Sequence, residues 1–184
     1  MMEKFKDNVS FYWEYFFKNE ENSEQVSQTK FLQSLPFFSK LSLRQIRVIS
    51  EYLHYREYAD DEYLFEYGTP GAALFLIFEG SVAIEVPTPS GVNQVAILED
   101  NSFLGELALL SSAERTASAR CIKKSKCFAL YRNDLDRLAD SSPEICAEIY
   151  KSLAKVVGRR LEATTKQITS FKEKHGNKNN ADAA

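Results

Sequence analysis

Between Tyr55 and Tyr131 the chain is cut into short β-prone runs by turn residues, and this rhythm limits the fold more than any other feature. The runs are Tyr55–Tyr58, Tyr63–Tyr67, Ala73–Phe78, Ser81–Val86, Val95–Leu98, Ala117–Ile122 and Cys127–Tyr131, rich in Tyr, Phe, Val and Ile. The breaks are Gly68-Thr69-Pro70-Gly71, Glu79-Gly80, Pro87-Thr88-Pro89-Ser90-Gly91 and Asp100-Asn101. Glu79-Gly80 separates two apolar runs by two residues and predicts a hairpin. Leu74, Leu76 and Phe78 alternate with Phe75 and Ile77, so this run is apolar on both faces and is expected to be a central strand. Strands at this spacing predict an antiparallel jelly roll or sandwich.

Helical patterns flank the β region. Phe5, Val9, Tyr12, Trp13, Phe16 and Phe17 form an aromatic stripe at helical spacing, expected to be either a lid or a docking surface. A polar stretch, Asn19–Glu24, follows, and a helix is expected over Glu24–Leu35, ended by Pro36. Leu35–Ser42 reads as an apolar elbow, with Ser42 capping a helix whose face is Leu43, Ile46, Ile49 and Leu53. After the β region, Asn133 is expected to cap a short helix, and Pro143 to open a long one. Ile145, Ile149, Leu153, Val156, Leu161, Ile168 and Phe171 then recur at coiled-coil spacing, with Gly158 as a candidate bend. The class expected is mainly β with flanking helices (α+β).

Composition narrows the function. The 184 residues are 44% hydrophobic and 27% charged, as in a globular domain with a core, and the net charge of −3 argues against nucleic acid as a partner. Cys121, Cys127 and Cys146 have no metal-ligand spacing and are expected to be buried reduced thiols. No apolar run approaches the ~18 residues that span a bilayer, and the charged start does not resemble a signal peptide. A cytoplasmic protein without a membrane partner is expected. No nucleophile–base pair, metal cluster or Walker-type loop is present, so no catalytic residues, no metal, no cofactor and no enzyme activity are expected.

Chemistry concentrates in Phe103–Leu110 and Glu114–Ala119. Gly105 precedes a short apolar helical turn, which lets backbone amides approach an anion. Arg115, ten residues on, can fork onto the same anion. Glu106 would repel a bare phosphate, so a hydroxyl on the same ligand is its natural partner. Phosphate plus hydroxyl points to a nucleotide.

These residues carry a family resemblance. Leu64–Val82 resembles the strand and turn pattern of cyclic nucleotide-binding domains, and Phe103–Leu110 with Glu114-Arg115-Thr116-Ala117-Ser118 is similar to their phosphate-binding cassette. The resemblance, to the catabolite activator and protein kinase A regulatory subunit type, runs from about Phe31 to about Leu161. It implies a jelly-roll β-roll with N-terminal helices and C-terminal hinge and lid helices. The expected division is residues 1–30 as aromatic helix and linker, 31–161 as the binding domain with hinge and lid, and 162–184 as the end of the C-terminal helix and a polar tail. It also implies that Arg115 pairs with the cyclic phosphate and that the backbone at Leu107 and Ala108 donates to it. Glu106 would accept from the ribose 2′-hydroxyl, Gly105 would let the backbone close on the ribose, and Thr116 would lie near phosphate or base. Val157, Arg159, Arg160 or Leu161 would cap the purine. Turns at Gly68-Thr69, Ala72 and Asp100-Asn101 depart from the family's usual acids, and Asn is expected to keep the left-handed backbone.

The function expected is a stand-alone cyclic nucleotide sensor, acting through its terminal helices on a protein effector or a second copy. Arg-Thr resembles sites preferring cGMP, but Glu114-Arg115 looks more like bacterial cAMP receptors, so cAMP is favoured. The alternatives are a ligand-free dimerisation scaffold and a truncated transcription regulator of the catabolite-activator type. The latter would need about 60 to 70 further residues of helix-turn-helix, where only a polar tail follows Phe171.

Overall fold

A computed structural model describes residues 23–181, with side chains over 28–170. The aromatic stripe Phe5–Phe17 lies outside the described residues. In chain order the elements are α1 (Ser23–Ser34), α2 (Leu43–Ser50), β1 (His54–Tyr58), β2 (Tyr63–Phe65), β3 (Ala73–Thr88), β4 (Gly91–Glu99), β5 (Phe103–Leu104), α3 (Leu107–Leu110), β6 (Ser118–Tyr131), α4 (Arg132–Ser141) and α5 (Pro143–Ala181). The strands form one antiparallel sheet of order β1-β6-β3-β4, with β2 on β6 and β5 on β3, and the sheet is not closed.

Its spine is the pairing of β3 with β6, from Ala73 opposite Tyr131 to Glu85 opposite Ser118. This corrects the expected hairpin at Glu79-Gly80. Both apolar runs pair with β6 instead of with each other, so β3 passes through as one bent strand with register shifts around Gly80. Gly80 has φ +138°, and a Cβ there would lie 2.2 Å from Ser125 Oγ on the facing strand. Ala117–Ile122 and Cys127–Tyr131 likewise merge into β6. The chain reverses at Thr88–Gly91, where the Thr88 hydroxyl donates to Gly91 O at 2.9 Å. Asn101 takes the left-handed backbone (φ +63°) expected of it.

The alternation in β3 fills two cores. Leu74 and Leu76 face the helices, joining Phe31, Phe37, Ile46, Leu135, Ile149 and Leu153. Phe75 and Ile77 face the inside of the roll with Val82, Leu104, Cys121, Cys127 and Ala129. The strand is therefore buried on both faces, as its sequence predicts. The three thiols are free and buried, and burial pushes Cys127 up to about 12.

At the N-terminal side, Ser42 caps α2 in a reciprocal box with Gln45. Ile46, Ile49 and Leu53 are buried, but Leu43, the first residue of the helix, is 57% exposed and does not join the core. The N-cap of α4 is Tyr131, without a side-chain bond, and Asn133 lies inside the helix. The reason is that the helix begins directly at the end of β6, where Arg132 N–H is already held by Ala72 O at 2.9 Å. Pro143 opens α5 as expected, and the helix runs on through Gly158. Ile145, Ile149, Leu153 and Val156 are buried, whereas Leu161 and Ile168 are 66% and 52% exposed.

Candidate functional site

The β2–β3 turn, β5, α3 and the turn into β6 converge on one cleft with a volume of about 290 Å3. One wall is the inside of the roll, from Phe65, Ile84, Ala96 and Leu98. The other is the segment Leu104–Ala108 with Ala113–Ala117, and Arg160 of α5 reaches the mouth.

Gly105 is required by the geometry. Its φ is +77°, and a Cβ would lie 2.4 Å from Arg115 Nη1 and 3.0 Å from Ala73 O. A side chain there would expel the arginine from its seat. Gly71 is packed as closely, since a Cβ would come within 2.8 Å of Ala113 O. These two glycines let the turn, the cassette and β3 approach one another.

Arg115 is 8% exposed and lies with its guanidinium 3.9 Å from the centre of the Phe65 ring. Nη2 donates to Ala73 O at 2.8 Å and Nη1 to Gly105 O at 3.4 Å. Among the described residues, its Nε is the one buried side-chain nitrogen or oxygen without a hydrogen-bond partner. Burial lowers the guanidinium from its ordinary value, the nearby Glu106 opposes this, and Arg132 adds to the lowering. Its backbone is fixed on both sides: Arg115 N–H donates to Thr69 O at 2.8 Å, and Gly68 N–H donates to Arg115 O at 2.9 Å.

Glu106 is 5% exposed and starts α3. Its Oε1 accepts from Arg160 Nη1 at 2.5 Å, an ion pair joining the cassette to α5. The Arg160 guanidinium also lies 5.1 Å from the Phe103 ring, and Phe103 in turn packs edge-on against Phe37 of the N-terminal elbow at 4.6 Å. Phe103 thus connects both flanking helical regions to the cleft. The first turn of α3 has no side-chain cap, and Ala108 N–H donates to Gly105 O at 3.1 Å.

Gly105, Glu106, Leu107, Ala108, Arg115 and Thr116 all line the cleft. Of the four residues expected near the base, Arg160 alone does so; Val157, Arg159 and Leu161 are not brought to it. The Phe65 platform, the Ile84, Ala96 and Leu98 wall and the contacts of Arg132 lie outside the site residues expected from the sequence. Alternation of β4 places Ala96 and Leu98 on one face and offers a signal for the wall; Phe65 and Arg132 carry none. Among the described residues no group of His, Cys, Asp and Glu is arranged to hold a metal, and no helix is long and apolar enough to cross a membrane.

The family model of the cyclic nucleotide-binding domain matches residues 55–142. A cyclic nucleotide-gated potassium channel of Mesorhizobium japonicum is 29% identical over 139 residues, 76% of this chain and 37% of the channel. The cyclic AMP receptor protein of Thermus thermophilus is 28% identical over 145 residues, 77% of this chain and 65% of the receptor. The chain thus spans less than two thirds of either relative. A solved cyclic nucleotide-binding domain from Methylobacillus flagellatus has the same fold, with a TM-score of 0.70 at 20% identity over 80% of this chain and 84% of that one. Residues 55–142 of the chain thus match the cyclic nucleotide-binding domain family.

Proposed function

We propose that the cleft binds a cyclic nucleotide, cAMP in preference to cGMP, and that the protein is a regulatory sensor and not an enzyme. The observation that carries this is Arg115: a buried guanidinium with an unpartnered Nε and no ion pair to a described carboxylate. A buried cation is costly unless compensated, and a singly charged phosphodiester supplies the compensation without a metal. In this assignment Arg115 and the backbone of Leu107 and Ala108 hold the cyclic phosphate, the Ala108 N–H exchanging Gly105 O for a phosphate oxygen. Glu106 accepts from the ribose 2′-hydroxyl, Gly105 admits the ribose, and Thr116 lies beside the base.

The apolar wall of Ile84, Ala96 and Leu98 supports the preference for adenine. Guanine carries more polar edge groups, each of which loses water on entering such a wall. The Thermus thermophilus relative is a cyclic AMP receptor by name, which points the same way.

The response follows from the Glu106–Arg160 pair. A ribose hydroxyl at Glu106 competes with Arg160, so occupancy frees or redirects α5 at its exit from the core. Phe103 passes the same change to the elbow at Phe37. The output is contact with a protein effector or a second copy, through the exposed Leu161 and Ile168 of α5 or the aromatic N-terminal stretch. We place the functional unit at residues 31–161, in the cytoplasm. Its core residues, from Phe31 to Val156, support that span.

Displacement of a fluorescent cAMP analogue tests the assignment. Competition is expected in the order cAMP, cGMP, then 5′-AMP, whose free phosphate carries nearly two charges and more bulk. Equal competition by 5′-AMP would exclude a site fitted to the cyclic diester.

A further inference from the structure

Arg132 lies outside the cleft, at the junction of β6 and α4, yet it binds three separate pieces of the molecule. Nε donates to Ala108 O at 2.7 Å, and Nη2 donates to Ser111 O at 2.7 Å. These carbonyls belong to the short helix α3 and its C-cap, where a cation satisfies acceptors the helix cannot. Nη2 also donates to Gly71 O at 2.6 Å, and Nη1 to the Ser112 hydroxyl at 2.8 Å. The backbone N–H of the same residue holds Ala72 O. One residue therefore fastens the far side of the cassette and the β2–β3 turn to the first residue of α4. Downstream, Leu135 and Leu138 of α4 share a core with Ile145 and Ile149 of α5, and Cys146 Sγ–H points to Leu135 O at 3.7 Å. Displacement of α4 against the roll therefore acts on this fastening.

We propose that Arg132 is a positioning residue that couples the Gly105–Arg115 segment to α4 and α5, setting ligand affinity and helix response without touching ligand. The peptide of Ala108 shows the geometry: its carbonyl is gripped by Arg132 while its residue lines the cleft. Five planar donors in a fixed fork suit such a multi-segment grip, and a lysine cannot reproduce it. This inference rests on the cyclic nucleotide reading above.

The test uses the full chain with Arg132→Gln and Arg132→Lys. Circular dichroism checks folding, equilibrium titration measures cAMP affinity, and hydrogen exchange follows α3, α4 and α5 with and without cAMP. Coupling predicts that folded Arg132→Gln binds about tenfold more weakly and loses the ligand-induced exchange change in α5, with Arg132→Lys intermediate. Folded Arg132→Gln with wild-type affinity and a wild-type response in α5 would overturn the proposal, as would a lower melting temperature alone. Where Arg132→Gln does not fold, Arg132→Lys carries the same comparison. Should wild type bind no cyclic nucleotide, the binding reading fails by itself, and ligand-free exchange decides the coupling. Faster exchange in α3 and α4 together supports it, and faster exchange confined to α4 refutes it.

Discussion

Glu85 and Glu106 are both buried glutamates facing an arginine, but one cluster is closed and the other open. Glu85 Oε1 accepts from Arg120 Nε at 3.0 Å and Nη2 at 2.6 Å, and Asp61 accepts from Nη1 at 2.6 Å. The two carboxylates hold the Arg120 guanidinium well above its ordinary value. Tyr63 adds a donor to Glu85 at 3.4 Å. Every charged group there has an oppositely charged partner from the chain. Arg115, by contrast, grips two backbone carbonyls and leaves Nε empty, while Glu106 is engaged by a side chain from the distant helix α5. A completed ion cluster fastens strands; the incomplete one, in a cleft, leaves a buried cation without a counter-charge. On the proposed reading the same residue types serve structure in one place and recognition in the other, and partner satisfaction distinguishes them.

The sharpest way to break this contrast is to remove each arginine. Arg115→Ala is expected to cost about 1.5–3 kcal/mol of cAMP binding, tenfold or more in affinity, with the chain still folded. Arg120→Ala is expected to leave cAMP affinity unchanged and to lower the melting temperature, because Glu85 stays buried without its partner. Parallel titrations and thermal melts read both; an affinity loss in Arg120→Ala would erase the distinction. Next in size is Glu106→Gln, expected to weaken cAMP by about 1 kcal/mol through loss of a charged acceptor. Wild type should discriminate against 2′-deoxy-cAMP and Glu106→Gln should not. Persistent discrimination in the variant would place the ribose hydroxyl elsewhere. Arg160→Ala should have the smallest effect. Arg160 is nearly half exposed, so its pair contributes at most about 1 kcal/mol to stability. Its loss should raise cAMP affinity slightly by freeing Glu106, measurable by competition titration. A tenfold fall would instead make Arg160 a ligand contact.

How much of this was legible in the chain follows from what each feature depends on. Gly105, Glu106 and Arg115 stand within eleven positions, so local spacing exposed them. The two-faced apolarity of Ala73–Phe78 likewise identified a central strand. Glu79-Gly80 was misjudged because a hairpin and a bend begin with the same residues. What decides between them is β6, far along the chain, which pairs with both runs. Arg132 is a lone arginine in sequence, and its meaning comes from Gly71, Ala108 and Ser111 meeting around it. The stripe along α5 fits hinge and lid helices, a coiled-coil seam, or both, with Gly158 as a candidate bend. Its first half is buried at Ile145–Val156 because α4 and the sheet lie beneath it, and beyond Gly158 the same periodicity meets solvent. Periodicity reports which face is apolar, and the neighbouring elements decide whether that face is covered.

The central claim is that the open cluster at Arg115 and Glu106 accepts a cyclic nucleotide. Isothermal titration of the full chain with cAMP tests it most directly. The account predicts a saturable one-site isotherm that weakens tenfold or more in Arg115→Ala and is unchanged in Arg120→Ala. Absence of heat with both cAMP and cGMP at high micromolar concentration, or an unchanged isotherm in Arg115→Ala, would contradict it.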